Sequence, residues 1–128
     1  MRLLLDTHTI LWFWWNNSSL SETAKALIAE PTNVMLVSHA SPWEVSITVS
    51  QQKLNLGRSF AGYFPDQIRL TDMNYLPMSD QHFAELSALP FHHKDPFDRL
   101  MIAQAIVERI PIVSIDTKFD AYPIRRFW

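Results

Sequence analysis

Apolar runs too short to be helices recur along this chain, and a segment long enough to be a helix follows each. Leu3-Leu4-Leu5 stops at Asp6 and Thr7, Val34–Val37 is a second run, and Ile112–Ile115 stops at Asp116, with Tyr75–Met78 as a further short extended piece. A strand that is apolar on both faces must be covered on both faces, and crossover helices do this for a parallel sheet. The alternation therefore predicts an α/β protein, a three-layer α/β/α sandwich around a short parallel sheet. The 128 residues fit one domain, 1–128, and a hydrophobic share of 48% supplies one real core. Charged residues make up only 19%, which excludes a disordered chain.

Helix boundaries can be read between these runs. Residues 9–15 are apolar all round, as in a buried or interface helix, and Asn16–Ser19 reads as a turn. Ser19 with Glu22 matches a capping box ahead of Ala24, Leu27 and Ile28, and Pro31 ends that helix. Ser41-Pro42-Trp43-Glu44 is a helix start, with Ser as N-cap, Pro at the first position and Glu at the third. Val45, Ile47 and Val49 alternate like a strand instead, but β-branching is a weak propensity beside so specific a start. Residues 59–69 and 79–89 read as further helices. Asp95-Pro96-Phe97-Asp98 repeats the start signal for a helix running to Arg109, bounded by Pro111.

Composition narrows the chemistry. The absence of cysteine excludes disulfides, zinc–thiolate sites and cysteine nucleophiles. Any metal would be held by carboxylates, histidines or carbonyls, and carboxylate oxygens favour Mg²⁺ or Mn²⁺. A net charge of −2 gives no global attraction to nucleic acid, so an RNA substrate would need bound cations or a local basic patch. The apolar run at residues 1–15 is interrupted by Asp6 and His8 and is too short to span a bilayer. The expectation is a cytoplasmic protein with no membrane partner.

Four acids stand where a parallel sheet would gather them. Asp6 and Asp116 each follow a strand, and Glu44 and Asp98 each fall in the first turn of a helix. In an open parallel sheet, strand ends and the helix starts that follow share one edge, where ligands bind. An acid closing an apolar strand has no routine structural job, which favours a functional Asp6. Asp116-Thr117 is also ordinary turn chemistry, and Glu44 and Asp98 could be capping carboxylates. Converging carboxylates would raise one another's pKa unless a divalent ion sat among them. Helix dipoles beside Glu44 and Asp98 are expected to keep both ionised before any ion arrives.

The segments LLLDTHTILW, VSHASPWEVSI, LPFHHKDPFDRLMIAQA and VSIDTKFDAY together resemble the PIN-domain family, and more narrowly the VapC-type toxin ribonucleases of type II toxin–antitoxin systems. The resemblance covers nearly the whole chain. It implies a PIN-like α/β/α fold, an Mg²⁺- or Mn²⁺-dependent endoribonuclease, a small cognate antitoxin and a homodimer. It also implies 5′-phosphate and 3′-hydroxyl products. Matched motif by motif, the family's metal-binding and catalytic acids fall on Asp6, Glu44, Asp98 and Asp116. Asp6, Asp98 and Glu44 would hold one metal, and Asp116 a second metal or a metal-bound water. Asp95 competes for the third site and reads as the N-cap.

Several neighbours admit two readings. Arg99 could contact RNA phosphate or lie in solvent. Thr7 and Ser114 could bond a carboxylate or only their own turns. His8, His92 and His93 read as loop or cap residues before phosphate contacts or general acids. Trp12-Phe13-Trp14-Trp15 could stack bases, but reads first as core or as a partner-binding surface. Tyr122, Phe127 and Trp128 read as core or edge packing, with Arg125 and Arg126 as RNA or antitoxin contacts. Three rivals remain. A metal-dependent phosphatase would need a second acid where His8 stands. A metal-free ribonuclease would use His8 with His92 or His93. A catalytically inactive PIN-like RNA- or protein-binding module would be expected to lack one of the four acids.

Overall fold

The computed structural model describes all 128 residues. Its elements run β1 (Arg2–Leu5), α1 (Thr7–Trp14), α2 (Glu22–Ala29), β2 (Val34–Ser38), α3 (Ala40–Ser50), α4 (Phe64–Leu70), β3 (Asn74–Leu76), α5 (Asp80–Ala88), α6 (Pro96–Glu108), β4 (Ile112–Val113), a 3₁₀ turn (Thr117–Ala121) and β5 (Arg126–Phe127). The strands form one sheet in the order β3-β2-β1-β4-β5, and every pairing is parallel. β1 lies at the centre, with Leu4 opposite Leu36 of β2 on one side and Ile112 of β4 on the other.

The alternation within Leu3-Leu4-Leu5 explains the layers. Successive side chains of a strand point to opposite faces. Leu3 and Leu5 join Ile10 and Leu11 of α1, Ala24 and Ile28 of α2, Val45 of α3 and Phe64 of α4 in one core. Leu4 joins Leu36, Ile112 and the α6 residues Met101, Ile102 and Ala105 in the other. All three leucines have no exposed surface. The sheet is therefore covered on both faces, as the three-layer expectation requires. No helix is long and apolar enough to cross a membrane.

Several boundaries differ from expectation, each for a local reason. α2 is capped by Ser21, whose side chain accepts from the Ala24 N–H, while Ser19 is held in a turn by Asn17. Ser41 caps nothing. α3 begins earlier, at Ala40 after His39, which places Pro42 in the first turn, where backbone N–H groups have no intrahelical partner. Glu44 consequently lies beyond the first turn. The helix near residue 60 starts at Phe64, and β4 covers only the first half of 112–115. α5 opens with a capping box in which the His82 ring and Ser79 exchange bonds with each other's backbone N–H. β5 was unforeseen as a strand: Phe127, read as edge packing, pairs with Val113.

The order of the strands locates a crevice. From β1 the chain moves to β2 and then β3 on one side, and later returns to β4 and β5 on the other. The loops leaving β1 and β4 therefore part at their carboxyl ends, the position where open α/β sheets bind ligands.

Candidate functional site

A cleft of about 430 Å³ opens at that crevice, lined by Asp6, His8, Trp12, Glu44, Asp95, Asp98, Ile115 and Asp116. All four acids singled out from the sequence thus reach one cleft, and Asp95 joins them. No lysine or arginine lines it.

Asp6 leaves β1 and is the N-cap of α1. Its Oδ1 accepts from the Thr7 N–H at 2.8 Å and its Oδ2 from the Ser114 hydroxyl at 2.7 Å. Asp6 therefore does have a structural job, contrary to the expectation from sequence. Ser114 also accepts from the Asp116 N–H at 3.0 Å, so one hydroxyl links the acid after β1 to the acid after β4. Asp116 caps the 3₁₀ turn by accepting from the Lys118 N–H at 2.9 Å. The Thr7 hydroxyl bonds the buried Ser41 hydroxyl at 2.8 Å, tying α1 to α3 beneath the cleft. Asp95 is the N-cap of α6, and its Oδ1 accepts from the N–H groups of Phe97 and Asp98.

Glu44 Oε1 is buried and has no hydrogen-bond partner. A buried carboxylate oxygen without a donor is costly. Burial raises the Glu44 pKa, the Thr7 hydroxyl lowers it, and Asp95 and Asp6 raise it further. Burial also raises Asp6, against the Ser114 hydrogen bond. Asp98 is pushed up to about 8, first by burial and then by Asp6, Asp95, Glu44 and Asp116. The expectation that a helix dipole keeps Asp98 ionised is thereby overturned, and Glu44 is shifted in the same direction. Glu44 is not in a first turn, and at Asp98 burial with four neighbouring carboxylates outweighs the roughly 0.3–1 kcal/mol a helix end supplies.

His93, read from the sequence as a loop or cap residue before any part in the chemistry, belongs to the site. It is buried, and its Nε2 lies 3.0 Å from Asp98 Oδ2 and 3.5 Å from Asp116 Oδ2. One ligand atom from each of these residues falls within 4.8 Å of the others. The opposite nitrogen, Nδ1, accepts from the Asp95 N–H at 3.2 Å. A neutral ring that accepts at Nδ1 carries its proton on Nε2. His93 therefore faces the two carboxylates as a donor, not as a metal ligand, although neither contact has good hydrogen-bond alignment. The available signal was its place two residues before the N-cap Asp95. His92 is exposed and packs edge-on to Tyr122, away from the carboxylates, and His8 lines the cleft.

Arg99 is not placed to meet RNA. It is buried, and its guanidinium donates to the carbonyls of Leu89, Pro90 and His93 while stacking 3.8 Å over the Phe91 ring. This side chain holds the 89–93 loop, and with it His93, against α6. Tyr122 donates to Pro90 as well, so Leu89 and, through a longer 3.4 Å bond, His93 are the carbonyls that depend on Arg99. Arg99→Met is expected to lower stability by at least about 2–3 kcal/mol, the cost of leaving buried carbonyls without their charged donor; urea unfolding measures it. Arg126 is likewise engaged, binding Asp120 through two nitrogens and donating to the Ser114 carbonyl, and Arg125 stacks on Phe127.

The donor set suits a hard divalent cation. Oxygen ligands predominate, negative charge is concentrated without a basic counterpart, and Glu44 Oε1 lacks the donor that burial demands.

Comparison with known proteins bears on the fold. The family model described as PIN domain matches residues 3–124. Among solved structures, VapBC2 from Rickettsia felis bound to a DNA fragment from their promoter is similar at a TM-score of 0.70 and 18% identity, over 99% of this chain and 98% of the other. FitAB bound to an IR36 DNA fragment gives 0.67 and 16%, over 98% and 93%. A toxin–antitoxin complex from Klebsiella pneumoniae gives 0.62 and 21%, over 98% and 96%. No curated protein matches the sequence. At these identities the likeness to the solved structures is one of fold.

Proposed function

The chain belongs to the PIN-domain family, and from that premise we propose that it is a divalent-cation-dependent endoribonuclease acting as the toxin of a toxin–antitoxin pair. PIN domains are typically metal-dependent nucleases. The observation that carries the reading is electrostatic: five carboxylates line one cleft, an oxygen of one of them is buried without a donor, and another is pushed up to about 8. Asp6, Asp95 and Asp116 also cap the elements they begin, but capping does not call for five acids in one cleft without a lysine or arginine, and such a set suits a cation site.

Asp6, Glu44, Asp98 and Asp116 would hold Mg²⁺ or Mn²⁺. When bound, such an ion supplies a more acidic water and charge neutralisation for phosphodiester hydrolysis. The chain's own residues do the positioning. Thr7 N–H and Ser114 fix both oxygens of Asp6, Ser114 sets the backbone of Asp116, and Asp95 caps the helix that presents Asp98. His93 presents an N–H between Asp98 and Asp116. The substrate is RNA, the partners are a small antitoxin and a second copy of the chain, and the toxin–antitoxin assemblies with the same fold support the antitoxin partner.

The direct test is cleavage of RNA in Mg²⁺ or Mn²⁺, and again after EDTA. Activity that disappears with EDTA and returns with excess Mn²⁺, leaving 5′-phosphate ends, is the expected result. Cleavage that survives EDTA and leaves cyclic phosphates would transfer the chemistry to histidines. Growth arrest on expression, relieved by a small protein encoded beside it, tests the toxin assignment.

A further inference from the structure

The lining of the acid cleft is not wholly polar. Trp12 and Ile115 are its two apolar lining residues. Ile115, between Ser114 and Asp116, is 47% exposed, an unusual place for a β-branched apolar side chain. Trp12 is half-buried and lies one helical turn beyond His8 on α1. Its ring is braced by two others, Trp128 at 6.0 Å and His8 at 5.7 Å between centroids.

The neighbouring indoles are committed elsewhere. Trp14 donates to the Thr71 hydroxyl and packs edge-on to Phe64 at 4.9 Å, and Trp15 donates to the Tyr63 hydroxyl. Of the aromatic run at residues 12–15, only Trp12 lines the acid cleft, while Trp15 lines a separate cavity on the other side of Glu44 and His8 with Lys53 and Leu54.

We propose that Trp12, steadied by Trp128 and His8 and flanked by Ile115, is a stacking platform for one unpaired nucleobase of the RNA strand held at the acid cleft. This rests on the nuclease reading and names the form of substrate that site takes. With no lysine or arginine in the lining and five carboxylates facing one histidine, the cleft repels RNA phosphate unless a cation is bound. A flat aromatic face adds affinity that is independent of charge, and tolerant of sequence because every base has a π-face. Bases inside a duplex have both faces occupied by their neighbours, so the platform selects an unstacked base in a loop or single strand. An apolar side chain of a partner protein is the competing occupant. The nucleobase is favoured because the platform opens into the carboxylate cleft itself instead of onto a separate apolar groove.

The test uses the full chain and a fluorescein-labelled, mixed-sequence single-stranded RNA in Ca²⁺, which accepts oxygen ligands without the strict octahedral demand of Mg²⁺. Trp12→Leu is expected to weaken RNA binding about tenfold, while Trp12→Phe, which keeps a π-face, stays within about threefold of the unaltered protein. Mn²⁺ binding by calorimetry stays unchanged in both, which shows that the fold and the acids are intact. The same sequence as a duplex competes at least about tenfold more weakly than as a single strand. RNA binding by Trp12→Leu equal to the unaltered protein, equal loss in Leu and Phe variants with Mn²⁺ binding intact, or equal competition by duplex would each overturn the platform. So would a Trp12→Leu defect confined to binding the antitoxin. Failure of the parent reading looks different: the unaltered protein binds the strand through Trp12 but does not cleave it in Mg²⁺ or Mn²⁺.

Discussion

Replacing Asp98 with Asn is expected to lower metal-dependent RNA cleavage by about a thousandfold or more, because a carboxylate that helps hold the ion is worth several kcal/mol of charge stabilisation at the reacting phosphate and each 1.36 kcal/mol is tenfold in rate. The same substitution is expected to leave the fold intact. Asp98 does not cap α6; Asp95 does, through its own side chain. The side chain of Asp98 meets the His93 ring, and burial with the neighbouring acids raises its pKa. An amide in its place keeps the volume and removes the repulsion. Loss of activity together with unchanged or higher thermal stability is therefore the signature of a site residue. Cleavage within about tenfold of the parent would remove Asp98 from the site. Steady-state cleavage and a thermal melt on one preparation decide it.

The second large effect is on the pH dependence of stability. An acid whose folded pKa lies above its unfolded value holds its proton longer in the folded chain. Asp98, at about 8 against an ordinary 3.8, therefore makes the folded state the stronger proton binder across that whole interval. Stability accordingly falls as pH rises from about 4 and levels off above about 8. Asp6 and Glu44 are raised as well and add to the fall. Glu108 is lowered, by the His82 hydrogen bond first, and contributes with the opposite sign only below the ordinary carboxylate range. In EDTA the melting temperature is thus expected to decline from about pH 5 to about pH 8. Mg²⁺ or Mn²⁺ restores it, with a larger gain at the alkaline end, because the cation binds the ionised acids and stabilises only the folded form. Asp98→Asn flattens the EDTA profile. A melting temperature that rises with pH in EDTA would contradict the electrostatics of the cleft.

Much of this was legible in the chain. The length of the apolar runs gave a parallel sheet covered on both faces, and strand ends with helix starts led to four acids that share the cleft. The start of α6 was read residue by residue, because Asp95, Pro96 and Asp98 form a local signal that depends on nothing distant. The start of α3 was misread, because Ser41 faces inward to the Thr7 hydroxyl, a partner 34 residues away that a local pattern cannot show. The setting of Arg99 and the place of His93 in the site escaped for the same reason. A basic side chain beside an acid reads as a surface contact until the loop it binds, 89–93, is folded over it. Asp98's electrostatics needed the whole cleft, since burial, Asp95 of its own helix start and three acids from three other segments act on one carboxyl.

The sheet order has a consequence for how the chain could be divided. Gly57, at φ +74°, sits in the irregular stretch between α3 and α4. A cut there leaves Asp6 and Glu44 on one fragment and Asp98 and Asp116 on the other. The first fragment owns β1 and β2, and the second owns β3, β4 and β5, which flank that pair on both sides. Each half would lack the neighbours its strands need and half of the acids. The architecture is that of an AND gate, in which the proposed nuclease site would be complete only when the two polypeptides reassemble. Fused to two proteins whose association is in question, the fragments would report that encounter as cut RNA.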